Sequence, residues 1–122
     1  MSAIVDTRRA LGESGEDLAA ALYRRQGFAI VDRNYRCRIG ELDIVARRGS
    51  LLVFCEVKTR SSDRWGDPSE AVGPVKQGRL RRLAGHWLAT RRAWPAEIRF
   101  DVVTVSALPG APPRVIQLAD AF

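Results

Sequence analysis

Apolar and polar positions along the chain change period several times, and each change marks an element. From Leu11 to Gln26 the chain is rich in Ala and Leu, good helix formers, with Glu13, Glu16 and Asp17 near the positive end of a helix. Gly27 follows where a terminating glycine belongs. Phe28 to Tyr35 and Ile39 to Arg47 have strand character. Leu51 to Thr59 is a run of β-branched, aromatic and aliphatic residues and gives the clearest strand. Residues 61–73 hold Gly, Pro, Ser and Asp and predict a loop. Pro74 suits the first turn of a helix that runs to about Arg92, where Trp94-Pro95 stops it. Ile98 to Val105 predicts a fourth strand and Arg114 to Leu118 a short fifth, joined by a Pro/Gly loop from Leu108 to Pro113. The order helix, three strands, helix, two strands predicts an α/β domain, a mixed sheet with helices packed on it.

The turn between the second and third strands centres on Gly49-Ser50. A two-residue loop pairs Arg48 with Leu51 and sets a register in which partner numbers add to 99. Val45 then faces Phe54, Asp43 faces Glu56 and Glu41 faces Lys58. Opposed side chains lie about 5 Å apart. Two ionised carboxylates at that distance repel by about 3 kcal/mol at an effective dielectric of 20. A divalent cation between them turns the cost into a binding site, and hard ions such as Mg²⁺ favour oxygen ligands and keep waters. Lys58, two residues beyond Glu56, points to the same strand face, where an ammonium can orient water or stabilise phosphate charge. Its alternative is a plain surface pair with Glu41. The rest of the third strand is apolar on both faces, as in a covered central strand, so acid and ammonium at its end are costly unless they act.

On the first helix, Glu16 shares a face with Gly12, Ala19, Ala20 and Tyr23, small enough to approach a sheet; a rival stripe is Leu11, Leu18 and Leu22. The second helix has one stripe, Leu80, Leu83, Ala84, Trp87 and Leu88, and Lys76 falls on it at the first turn. Lys76 therefore points toward the sheet, as a phosphate contact or a snorkelling lysine. Gln77 flanks the stripe. Arg79 and Arg82 lie off it and suit backbone phosphates. Trp65, with Arg60 and Arg64 nearby, offers a stacking group in the 61–73 loop or an ordinary half-buried tryptophan. His86 reads as a surface residue, Cys55 as core, and Asp101 as a partner for Arg99 or nearby backbone.

Composition narrows the classes. The chain has 122 residues, one domain's worth, and 46% hydrophobic residues, enough for a core. The first ten residues are expected to be a flexible leader and residues 11–122 a single domain. No apolar run is long enough to span a membrane, and Met1 to Arg9 lacks a secretory signal pattern, so a cytoplasmic location is expected. Cys37 and Cys55 fit that compartment as free thiols. With His86 the only histidine, a Cys/His zinc site is excluded. The net charge of +6 suits a polyanionic partner, although the basic residues are nearly all arginine, a skew that coding bias also produces.

GELDIVA at 40–46, a short turn, and FCEVKTR at 54–60 resemble the PD-(D/E)XK nuclease superfamily. The chain is more narrowly similar to the YraN-like family of small bacterial proteins, expected to be endonucleases akin to archaeal Holliday junction resolvases. GESGED at 12–17, RNYR at 33–36, Lys76-Gln77, RFDVV at 99–103 and the final Asp-Ala-Phe extend the likeness over nearly the whole chain. Leu42 stands where the superfamily name puts proline. The resemblance implies a restriction-endonuclease-like α/β fold: an antiparallel three-strand meander, a crossover helix and a fourth strand parallel to the third. It implies Asp43 and Glu56 as ligands of Mg²⁺ or Mn²⁺ with the Val57 carbonyl, Lys58 as the water-orienting lysine, and Glu16 as an acid reaching the metal through water. Arg60, Lys76, Gln77 and Arg79 become the nucleic-acid contacts. The expected function is metal-dependent hydrolysis of phosphodiester bonds, with DNA the expected substrate and a homodimer one arrangement left open. A module that keeps the fold and binds nucleic acid or a partner without cleaving it is the alternative.

Overall fold

A computed structural model describes residues 7–60, 73–106 and 110–122, with side chains from Gly15 onward. Its elements are α1 (Thr7–Arg25), β1 (Ala29–Cys37), β2 (Gly40–Arg48), β3 (Leu51–Arg60), α2 (Pro74–Arg91), β4 (Glu97–Ser106) and β5 (Arg114–Leu118). The strands form one sheet in chain order, β1-β2-β3-β4-β5. β3 and β4 are parallel, joined by the α2 crossover, and the other neighbours are antiparallel. This is the predicted mixed α/β architecture, consistent with a restriction-endonuclease-like fold. The first helix starts at Thr7, four residues before the predicted Leu11. Most of the 61–73 loop, with Arg64 and Trp65, lies outside the described residues, as do residues 107–109.

Local chemistry sets the boundaries. α1 ends at Gly27, whose φ of 88° only glycine adopts readily. The Phe28 N–H donates to the Tyr23 carbonyl and the Gly27 N–H to that of Arg24, a Schellman closure that satisfies the last carbonyls. The accompanying apolar contact is present: the Tyr23 and Phe28 rings meet edge to face, 5.5 Å apart. Pro74 opens α2 as expected. Arg92 closes it in the left-handed region, with its N–H and that of Ala93 donating to the carbonyls of Ala89 and Leu88.

Each face of the sheet buries its own core. Leu42, Val45, Leu52, Phe54, Phe100 and Val102 pack under Leu80, Leu83, Ala84 and Trp87 of α2, the predicted stripe. On the other face Ala19, Ala20 and Tyr23 of α1 cover Ile44, Ala46, Val53, Cys55, Val103 and Val105. The small-residue stripe of α1 thus turns inward, and Leu18 and Leu22 flank it. Gly15 shows how close the approach is, since a Cβ there would collide with Thr59 Oγ1 of β3.

Candidate metal centre

The hairpin register is the predicted one, with Arg48 opposite Leu51, Val45 opposite Phe54 and Ile44 opposite Cys55. The pairing stops there, one step short of Asp43 and Glu56. The reason lies in β2. Leu42 packs on the α2 side while Ile44 packs on the α1 side, although residues two apart in a regular strand share a face. The alternation breaks at Asp43, and the strands part where the chemistry begins.

The break corrects two expectations: Asp43 and Glu56 are not register partners across the hairpin, and Glu41 does not face Lys58. It joins Glu16 of α1 and Asp43, and one carboxylate oxygen from each lies within 4.8 Å of the others. Its other partner is Arg36, whose Nε donates to Glu41 at 3.1 Å. Asp43 Oδ2 accepts the Val57 N–H at 2.8 Å. Burial and the charge of Glu56, with Glu16 and Glu41 behind them, push the Asp43 carboxyl up to about 7, against the pull of the Val57 N–H.

Glu56, 8% exposed, faces α2. Lys76 Nζ lies 2.7 Å from its Oε1 and Lys58 Nζ 3.4 Å from the same oxygen. Lys76 therefore does turn to the sheet, as its place on the stripe predicts, but its partner is a carboxylate. Burial and the adjacent Lys76 amine hold Lys58 below the usual lysine range, opposed by Glu56. Burial is the largest influence on the Lys76 ammonium and works against it, but the bonds to Glu56 and Lys58 and the charges of Glu56 and Asp43 together raise it. Arg79 is exposed on α2, its stem against Gly40. Gln77 lies half-buried in the first turns of α2, and Arg60 half-buried at the end of β3.

Arg33 was not singled out for a role by sequence. Its Nη2 lies 2.9 Å from Asp17 and 3.6 Å from Glu16, and its Nε is buried without a hydrogen-bond partner among the described residues. The β1–β2 register, which sets Arg33 opposite Ile44 and so on the α1 side, was the available signal. His86 is exposed and contacts the Tyr35 hydroxyl, as a surface residue does. Cys55 is buried in the α1-side core, which pushes its thiol up, and Cys37 and Cys55 are both free. Asp101 is fully buried and accepts two hydrogen bonds from Arg99, as expected of a structural acid.

A five-stranded mixed sheet between two helices, β3 parallel to β4, is consistent with the restriction-endonuclease-like class of α/β domain. Residues 15–105 match the model of the family described as Uncharacterised protein family UPF0102, and the chain belongs to that family. It is 54% identical over 113 residues to a UPF0102 protein of Frankia alni, covering 93% of this chain and 94% of the relative. A UPF0102 protein of Streptomyces griseus is 55% identical over 102 residues, 83% of this chain and 86% of its own. One from Geobacter sulfurreducens is 46% identical over 112 residues, 92% and 88% of the two chains. No helix among the described residues is long and apolar enough to cross a membrane.

Proposed function

We propose that this protein is a divalent-metal-dependent nuclease that hydrolyses phosphodiester bonds, with DNA as its polymer. The observation that carries the proposal is the situation of Asp43. Its carboxylate is half-buried among Glu16, Glu41 and Glu56, and the Val57 N–H is its one hydrogen-bond donor among the described residues. Like charges gathered out of water destabilise a fold, and a bound cation reverses that cost.

The donor set fits a hard ion. Every candidate ligand is an oxygen, and no cysteine or histidine joins the described cluster, which suits Mg²⁺ or Mn²⁺ and not zinc. Asp43 would hold the ion with Glu16 and Glu41 beside it, directly or through water, and Glu56, once released from its amines, would join with the Val57 carbonyl. A bound ion of this kind supplies Lewis acidity and a more acidic water. Lys58 would position that water, and burial with the adjacent Lys76 amine holds its ammonium below the usual lysine range. Lys76 leaves Glu56 for a substrate phosphate. Arg60, Gln77 and Arg79 hold the flanking backbone, where the net charge of +6 favours a polyanion.

One observation favours the second function, a non-cleaving nucleic-acid clamp. Glu56 already has two ammonium partners and needs no metal to be satisfied. A cleavage panel of branched, nicked, single-stranded and duplex DNA and of RNA, with Mg²⁺ or Mn²⁺, separates the two. The nuclease predicts metal-dependent cleavage of at least one DNA that Asp43→Asn abolishes. Binding to the same panel with no cleavage by either protein assigns the clamp.

A further inference from the structure

The opposite end of β3 carries a feature that phosphodiester chemistry does not use. Where the Gly49-Ser50 turn, the last turn of α2 and the connection into β4 converge, they enclose a cleft of about 480 Å³. Leu52 and Trp87 line it from the core, and Val31, Ala93 and Pro95 add further apolar wall. Val31 belongs there because β1 bulges between Ile30 and Asp32, which leaves its side chain 39% exposed. Trp94 also lines the cleft and is 90% exposed. Exposed apolar surface of this kind beside a cavity marks binding sites, and a tryptophan at a rim is a common anchor.

The charge around the cleft has one dominant sign. Arg47 and Arg91 line it, Arg91 paired with Asp32, and exposed Arg92 follows Arg91 in the chain, whereas Arg48 turns to the other face over the Phe28 ring. Both lining arginines are held in place. The Arg47 Nε–H donates to the Gly49 carbonyl at 3.0 Å. Arg91 Nη2 donates to Asp32 Oδ2 at 2.6 Å, an oxygen that also accepts the Trp87 indole N–H at 2.9 Å. Each of these bonds engages one of the five N–H groups a guanidinium offers. An apolar, concave floor under fixed cations is complementary to an apolar side chain flanked by carboxylates.

We propose that this cleft docks a short acidic segment of another protein, an aromatic or large aliphatic side chain entering between Leu52 and Trp94 and adjacent carboxylates meeting Arg47 and Arg91. A nucleic-acid track fits less well. Base stacking along a strand uses successive exposed rings, whereas one exposed ring stands here beside aliphatic walls. The cleft also lies on the α2 side of the sheet, the side that Glu56 faces. Leu52 and Glu56 are four residues apart on β3, roughly 13 Å at 3.3 Å per residue. A docked partner would thus sit beside the carboxylates without covering them, and the docking is independent of whether they cleave anything.

The test is a titration of the ¹⁵N-labelled full chain with an acetylated pentapeptide, three aspartates followed by leucine and phenylalanine. At low salt the amides of Val31, Leu52 and Ala93 and the Trp94 indole should shift together and saturate at submillimolar peptide. Trp94→Ala and Arg47→Glu, both at exposed positions, should each weaken binding about tenfold. A peptide with lysines in place of the aspartates should not bind the parent chain, a control that needs no variant. The proposal is overturned if the acidic peptide shifts nothing at millimolar concentration, or if the lysine peptide binds equally. It is also overturned if a twelve-residue oligothymidylate moves these amides and the acidic peptide does not.

Discussion

Asp43 on β2 and Asp101 on β4 are the same residue on strands that flank β3 in one sheet, and their surroundings are opposites. Asp101 is fully buried and saturated: Arg99 donates twice at 2.9 Å, the Tyr23 hydroxyl donates at 2.6 Å and the Asp120 N–H at 2.9 Å. These bonds tie α1, β4 and the chain after β5 to one carboxylate. Asp43 is less buried, yet its neighbours are three other acids. A buried charge that the protein satisfies is architecture, and one it leaves short is where an outside ligand is expected. The difference is testable because the two predict opposite signs when the charge is removed.

The largest effect should follow loss of the satisfied charge. Asp101→Asn leaves Arg99 half-buried without its anion and should cost about 3–5 kcal/mol, the usual penalty for breaking a buried pair. Chemical denaturation of parent and variant measures it. Equal midpoints would mean that Asp101 is not the node its bonds suggest.

Asp43→Asn should do the reverse, stabilising the metal-free protein at pH 8 by about 2–4 kcal/mol. The Asp43 carboxyl stands at about 7 in the fold against an unfolded value near 3.8. Between those values the folded chain binds more protons than the unfolded chain, so this group's contribution to stability falls as pH rises from about 4 to 7. The asparagine variant should lack that fall, and the gain over parent should vanish near pH 4. Thermal melts across this range decide it. A variant that is less stable than parent at pH 8 would place Asp43 with Asp101.

Lys58→Ala asks whether the strained end acts on a substrate. Cleavage should slow by about a hundredfold, the loss expected for one transition-state contact, while affinity in gel shifts changes little. A clamp predicts the other pattern, weaker binding and no cleavage in either protein. The smallest effect is that of metal on stability. Mg²⁺ at ten times its dissociation constant should add about 1.4 kcal/mol, and less at pH 5 than at pH 8, since the Asp43 proton competes with it. Equal calorimetric shifts at the two pH values would remove Asp43 from the ligand set.

The elements were legible in the sequence because their signals are local. Pro74, Gly27, the Gly49-Ser50 turn and the LLVFCEV run each fix a boundary from within a few residues, and the β2–β3 register follows from the turn alone. The start of α1 was misplaced because Thr7-Arg8-Arg9 carries no apolar period to extend it. In the candidate site, register and helical spacing single out Asp43, Glu56, Lys58 and Lys76, and the structure brings both lysines to Glu56 and sets Asp43 beside Glu16 and Glu41. Glu41 was misassigned because strict alternation was assumed through Asp43, where the strand in fact breaks step. The contact of Lys76 with Glu56, and the convergence of Tyr23 and Asp120 on Asp101, depend on how helices and chain end settle over the sheet. No short window of sequence contains that.

The two amines on Glu56 have a practical consequence. Among twenty basic residues the chain has two lysines, Lys58 and Lys76, and both contact the same carboxylate oxygen. Arginine keeps its proton at any ordinary pH and resists acylation, whereas an ε-amine titrates and reacts. Apart from the terminal amine, an amine-selective label therefore addresses this centre and nowhere else. Reductive methylation with ¹³C-formaldehyde would place NMR-visible reporters on Lys58, Lys76 and the terminal amine. The Lys58 and Lys76 resonances would register an arriving cation or phosphate directly.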